Sequence, residues 1–202
     1  MSPFHSKAGK APKKPFERRS GSGLLQGHRI VSSSPSSRAL FVSRSSLERT
    51  FHSFLPYWKR KLESVAYWYG MEFERDKQDV VLSVVIPHAY HSSGNFEVSE
   101  EETTKIGHKM AEASLVCLAQ IHTHPDDVQA HSPYDDSHAV SRRNGFLSLV
   151  VVNYGNTPSF DLKDIVVHES WNQEWLILDE RAKSGRIRVI DDFVANEASL
   201  DQ

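Results

Sequence analysis

Apolar residues first fall into a regular pattern at Leu47, Phe51, Phe54, Leu55 and Trp58, a helical spacing with one buried face. Pro56 is expected to kink that helix or end it at Leu55. The segment Val65 to Gly70 is rich in β-branched and aromatic residues and predicts a strand. Asp79 to Tyr90 predicts a second, longer strand beside it, joined through the polar stretch Glu74 to Gln78. Ser99 followed by Glu102 has the form of a capping box, so a helix should begin at Glu100 with Ile106, Met110 and Ala113 as its apolar stripe. Leu115 to Ile121 is short, continuous and apolar, as in a strand buried on both faces. It runs directly into His122.

Beyond the polar loop Pro125 to Pro133, a short helix is expected over Asp135 to Arg142, then a buried strand over Leu147 to Val152. Ile165 to His168 and Trp175 to Leu178 predict a hairpin, and Ile187 to Ile190 a last strand. Strands interleaved with helices in this order predict an α/β fold built on one mixed sheet. Gly21 to Ser37, with GSG and SSSPSS around a small apolar island at Leu24 and Leu25, looks like a linker. The expected organisation is therefore a basic tail and linker over 1–38 and one domain over 39–202.

Composition narrows the class. The chain is 39% hydrophobic with a mean hydropathy of -0.48, and no stretch approaches the roughly 18 consecutive apolar residues of a membrane helix. The single cysteine, Cys117, cannot form an internal disulfide, and the first thirty residues lack the apolar core of a secretory signal. A cytoplasmic protein is the expectation. The net charge of -2 is unevenly spread. Up to Arg38 eight cations face only Glu17, giving +7, while the remaining 16 cations and 25 acids give -9. An acidic body argues against specific nucleic-acid binding, and the basic tail fits a solubilising leader.

The candidate chemistry lies in Ile121-His122-Thr123-His124-Pro125, followed by Ser132 and Asp135. Two histidines at i and i+2 on an extended segment point to the same side. Asp135, returning from the first turn of the next helix, can add an oxygen. Two imidazoles and a carboxylate leave zinc a fourth position for water, the arrangement of a catalytic site. With 11 histidines in the chain, an isolated His-x-His would mean little, and an Asp shortly after Ser-Pro is usually a helix cap. The combined spacing H-x-H-P-x6-S-x-x-D should arise by chance in fewer than about one chain in a thousand. Asp136 is a rival ligand by adjacency. His131 and His138 flank the loop as supporting or surface residues, and Trp68 and Tyr69 are expected in the core.

This pattern resembles the JAMM motif of the JAB/JAMM (MPN) metallopeptidases, a distant Glu followed by H-x-H-x7-S-x-x-D. His122, His124, Ser132 and Asp135 match its downstream part, and Leu62-Glu63-Ser64-Val65-Ala66-Tyr67-Trp68-Tyr69-Gly70 matches the segment carrying its Glu. Glu72 and Glu74 are nearby alternatives. The resemblance spans Ser46 to Leu178 and implies the JAMM fold, a curved mixed sheet flanked by helices and related to cytidine deaminases. It implies Zn2+ on His122, His124 and Asp135. Glu63 would be the base that takes a proton from the attacking water and returns it to the leaving amine. Ser132 would donate to the oxyanion, a contact worth about 3 kcal/mol.

The implied substrate is the C-terminal end of a ubiquitin-like protein, as a conjugate or a fusion. The chain is similar to the compact prokaryotic branch that accompanies E1-like and E2-like enzymes, in systems several of which are linked to antiphage defence. Other readings are a JAMM peptidase for a sulfur-carrier fusion or another peptide, and a noncatalytic MPN scaffold. A RadC-like, DNA-associated member fits less well, given the acidic body and the His-Thr-His-Pro loop.

Overall fold

A computed structural model describes residues 24–25, 27–157 and 159–191. The expected basic tail up to residue 23 lies outside the described residues. Twelve strands and four α-helices are found among those that are described: β1 (Leu24–Leu25), β2 (His28–Val31), β3 (Ala39–Ser43), α1 (Arg44–Trp58), β4 (Val65–Phe73), β5 (Gln78–Val85), β6 (Tyr90–His91), β7 (Phe96–Glu97), α2 (Glu100–Glu112), β8 (Val116–Thr123), α3 (Pro133–His138), β9 (Leu147–Val151), β10 (Ile165–Trp171), β11 (Glu174–Leu178), α4 (Glu180–Arg186) and β12 (Ile187–Ile190).

Ten of the strands form one mixed sheet in the order β1-β2-β11-β10-β9-β8-β4-β5-β3-β12, and β6 pairs with β7 as a separate hairpin. The pairs β4/β5, β4/β8, β9/β10 and β10/β11 are antiparallel, whereas β8/β9, β3/β5, β3/β12 and β2/β11 are parallel. The α/β architecture expected from the sequence is thus present. Strand β4 lies near the centre and is buried from Val65 to Gly70, because alternate side chains serve two cores. Ala66 and Trp68 join Leu47, Phe51 and Phe54 of α1 on one face. Val65, Tyr67 and Tyr69 join Phe96 and Ile106 on the other, where α2 packs. No helix among the described residues is long and apolar enough to cross a membrane.

Several boundaries differ from expectation for identifiable reasons. Helix α1 runs through Pro56 to Trp58, and Leu55 points outward at 39% exposure. The proline falls in the last turn, where the helix has little left to lose. The strand expected over Asp79 to Tyr90 stops at Val85, ahead of Pro87. Helix α3 begins at Pro133, capped by Ser132, and ends at His138 rather than Arg142. At the start of α2 the Ser99 side chain accepts the Glu102 N–H at 3.2 Å, while the Glu102 carboxylate accepts the His88 N–H instead of closing a capping box.

The largest correction concerns the linker, expected to give way to ordered chain near Ala39. Regular backbone occurs earlier: His28–Val31 lies parallel to β11, with Ile30 opposite Ile177 and Val31 opposite Leu178. The strand covers an edge of β11 that would otherwise present unpaired N–H and C=O groups.

Candidate metal centre

The site forms where the carboxyl end of β8 meets the amino end of β4. Val65 sits opposite His122 in the antiparallel ladder, and the Ser64 N–H donates to Thr123 Oγ1 at 2.8 Å, so the residue before Ser64 is fixed beside the histidines. That residue is Glu63. Its N–H donates to the Ser92 carbonyl at 2.8 Å, and its carbonyl accepts from His91 Nδ1 at 2.8 Å. The hairpin of β6 and β7 therefore holds the Glu63 backbone, leaving its carboxylate free to face the site.

His122, His124 and Asp135 converge as the spacing predicts. His122 is fully buried, and His124 and Asp135 nearly so. The two Nε2 atoms are 3.0 Å apart, and they lie 3.4 and 3.2 Å from the carboxylate oxygens of Asp135. In a tetrahedral zinc shell with ligand bonds of about 2.0–2.1 Å, donor atoms stand about 3.3 Å apart. The triangle has that size, so the donor set and its spacing both fit a small divalent cation. Among the described residues these are the only three metal-capable side chains so grouped.

Protonation fits as well. Burial pushes His122 down to about 3, with His124 adding to that effect and Asp135 opposing it. Burial works to raise the Asp135 carboxyl, but the His124 hydrogen bond, the His122 charge and the Ser132 hydroxyl together hold it well below the ordinary range. At neutral pH a neutral His122 and an ionised Asp135 are ready to bind a cation without losing protons. Glu63 differs: burial pushes it up to about 7, His124 opposes this, and Asp135 contributes to it.

Ser132 is exposed and caps α3. Its Oγ accepts the Asp135 N–H at 3.2 Å and donates to Asp135 Oδ2 at 2.7 Å, and its own N–H donates to the same oxygen at 2.7 Å. The helix cap of Ser-Pro-x-Asp and the metal-capable grouping of Asp135 with the two histidines are therefore both present, in the same residues. Asp136, the rival by adjacency, turns its carboxylate away from the triangle, to His28 Nε2 and His131 Nδ1 at 3.1 Å each. Glu72 and Glu74 lie toward the far end of β4, against Arg143 and Arg38 respectively. Trp68 is core, its Nε1 donating to Thr50 Oγ1 at 2.8 Å.

Two neighbours went unread in the sequence. Tyr154 has a left-handed backbone (φ 56°), stabilised by its N–H donating to the His124 carbonyl at 2.8 Å, and its hydroxyl donates to the Ser93 carbonyl at 3.0 Å. It thus joins the turn after β9 to the β6/β7 hairpin across the site. His28 carries no local signal at all. His138, by contrast, stacks on Tyr134 at the surface.

No family model matches the chain. It is 34% identical over 120 residues to a probable metalloprotease, y4jG, of Sinorhizobium fredii (strain NBRC 101917 / NGR234), covering 55% of this chain and 72% of that protein. The solution structure of a Desulfitobacterium hafniense protein is similar with a TM-score of 0.55 at 13% identity, over 76% of this chain and 94% of that one. A JAB1/MPN domain protein from Archaeoglobus fulgidus gives a TM-score of 0.40 at 14% identity, over 75% and 97%. The likeness to the Desulfitobacterium protein speaks to the fold alone, and the Archaeoglobus score is too low to bear on it.

Proposed function

The chain belongs to the same metalloprotease family as the Sinorhizobium protein, and on that footing we propose that it is a zinc-dependent peptidase of the JAB/JAMM (MPN) type acting at the C-terminal end of a ubiquitin-like protein. The observation that carries the zinc-peptidase reading is the buried triangle of His122, His124 and Asp135 beside the buried carboxyl of Glu63. The choice of a ubiquitin-like substrate is supported by the resemblance of the motif. Partners in the same reading are that ubiquitin-like protein and the E1-like and E2-like enzymes of its conjugation system, in the cytoplasm and in the setting of antiphage defence.

In this reading His122 and His124 hold the ion through Nε2 and Asp135 through its carboxylate. When bound, zinc supplies Lewis acidity to the scissile carbonyl and acidifies water. Burial raises the proton affinity of the Glu63 carboxyl in the metal-free protein, and its place beside His124 and Asp135 suits it to exchanging a proton with the attacking water. It accepts a proton from the attacking water, the water oxygen bonds to the carbonyl carbon, the C–N bond breaks, and Glu63 returns the proton to the amine nitrogen. Ser132 Oγ has one proton to give. Turning it from Asp135 to the oxyanion leaves Asp135 held by the Ser132 N–H, so the ligand keeps one of its two Ser132 contacts.

The test begins with elemental analysis of the purified protein beside a His122→Ala/His124→Ala variant. About one zinc per chain, absent from the variant, is expected. Zinc-loaded protein is then offered a ubiquitin-like protein joined to a lysine side chain, and the same protein with a linear C-terminal extension. Cleavage of the isopeptide supports the proposal in full, whereas cleavage of the linear extension alone points to precursor or sulfur-carrier processing. A folded protein that takes up no zinc would overturn the peptidase mechanism in favour of a scaffold.

A further inference from the structure

The ligand triangle is assembled from two kinds of element. His122 belongs to a strand flanked by β4 and β9, and His124 follows it directly. Asp135 belongs to α3, which has six residues and buries none of its side chains except Asp135 itself. A helix this short has no stability of its own and no apolar face to dock with. Something polar must set the direction in which Asp135 points.

The contacts of Asp136 supply it. Its Oδ1 accepts from His131 Nδ1 and its Oδ2 from His28 Nε2, each at 3.1 Å. Since a carboxylate only accepts, the proton lies on His131 Nδ1, leaving His131 Nε2 to accept from Ser148 Oγ of β9 at 2.9 Å. The His131 ring is stacked on His168 of β10 at 3.8 Å between centroids, and Trp175 of β11 meets it edge-on at 5.0 Å. The Asp136 carbonyl accepts from Arg142 at 2.9 Å. One side of the clamp is thus anchored in the sheet interior. The other side, His28, opens β2 and comes from the segment that the composition marks as linker.

We propose that His28 and His131 are positioning residues for the metal centre: by gripping both oxygens of Asp136 they fix the rotation of α3, and so aim Asp135 at the ion. The inference rests on the reading of His122, His124 and Asp135 as metal ligands. It makes β2, and not only the JAMM motif, part of the structure the metal requires.

The experiment uses the full chain and measures zinc affinity by chelator competition, together with the visible spectrum of the cobalt(II)-substituted protein. His28→Leu and Asp136→Ala are each expected to weaken zinc binding about 10–100-fold and to change the cobalt bands, the scale typical of outer partners of metal ligands. His28→Gln keeps an N–H at the reach of Nε2 and should return both readouts close to wild type. Wild-type affinity and spectrum in both His28→Leu and Asp136→Ala would overturn the proposal. So would weakening that His28→Gln fails to restore, which would assign the effect to packing. Should His28→Leu not fold, Asp136→Ala, altering a side chain that is one-third exposed, carries the same two outcomes. Wild-type protein that takes up no zinc would overturn the ligand reading first and this inference with it.

Discussion

The metal-capable triangle joins two regions built on opposite terms. The β8 side is held by ladders on both flanks and by burial, with Leu118, Ala119 and Ile121 almost fully enclosed. The α3 side is held mainly by polar contacts: the Ser132 cap, the His28 and His131 contacts to Asp136, and Arg142. A strand in a sheet interior cannot shift without breaking the fold, whereas a polar-pinned helix can be loosened while the fold stands. Global stability and metal affinity should therefore be separable by mutation.

Removing the carboxyl proposed to carry the proton, while sparing both regions, comes first. Glu63→Gln should retain zinc and lose about 10²–10⁴-fold in kcat, the range for general acid–base groups, as read from steady-state kinetics of zinc-loaded protein. Wild-type turnover in this variant would remove Glu63 from the mechanism.

Gly70→Ala strikes the sheet side. An added Cβ would stand 1.8 Å from the Val80 carbonyl oxygen and 2.8 Å from Leu118 Cδ1, at the bulge where the β4/β5 register shifts. Thermal unfolding should show a loss on the order of 3 kcal/mol, while the zinc affinity of the fraction still folded stays at the wild-type value. A selective loss of zinc would mean that the sheet is not the rigid partner.

Ser132→Ala strikes the helix side. It removes an N-cap worth about 1 kcal/mol to α3 and one hydrogen bond to a metal ligand. Zinc affinity should fall about tenfold with little change in the melting temperature of the metal-free protein. Reduced kcat at unchanged zinc affinity would instead assign the hydroxyl to the oxyanion alone.

The last effect is electrostatic. Glu63 titrates near 4.5 when unfolded but is pushed up to about 7 by burial in the native protein. Between those values the native state binds the extra proton, so its stability falls as pH rises from about 4.5 to 7. Chemical denaturation of metal-free wild type should show this decline, and Glu63→Gln should lessen it.

The contrast between regions also governs what the sequence disclosed. Strand β8, its two histidines and Asp135 were legible because period-two alternation and fixed short spacings are local properties. Choosing Glu63 over Glu72 and Glu74 needed the resemblance, since the pairing of Val65 with His122 is a fact of register across more than fifty residues. Helix α4 was missed because Glu180–Arg186 has no apolar stripe. It is held by the Asp179 cap and by buried Lys183 and Arg186, which find the Ile165 carbonyl and Glu169. His28 and Asp136 meet across 108 positions, and no periodicity can announce that.

Strand β2 lies early in the chain, yet the strand that ties it to the rest of the sheet is β11, with Ile30 opposite Ile177. During synthesis β2 has only the two-residue β1 to pair with until almost the whole described fold has left the ribosome. Contacts of such sequence separation close late. A nascent chain would thus carry its JAMM motif braced from the His131 side alone until β11 emerges, and the full clamp would close near the last step of folding.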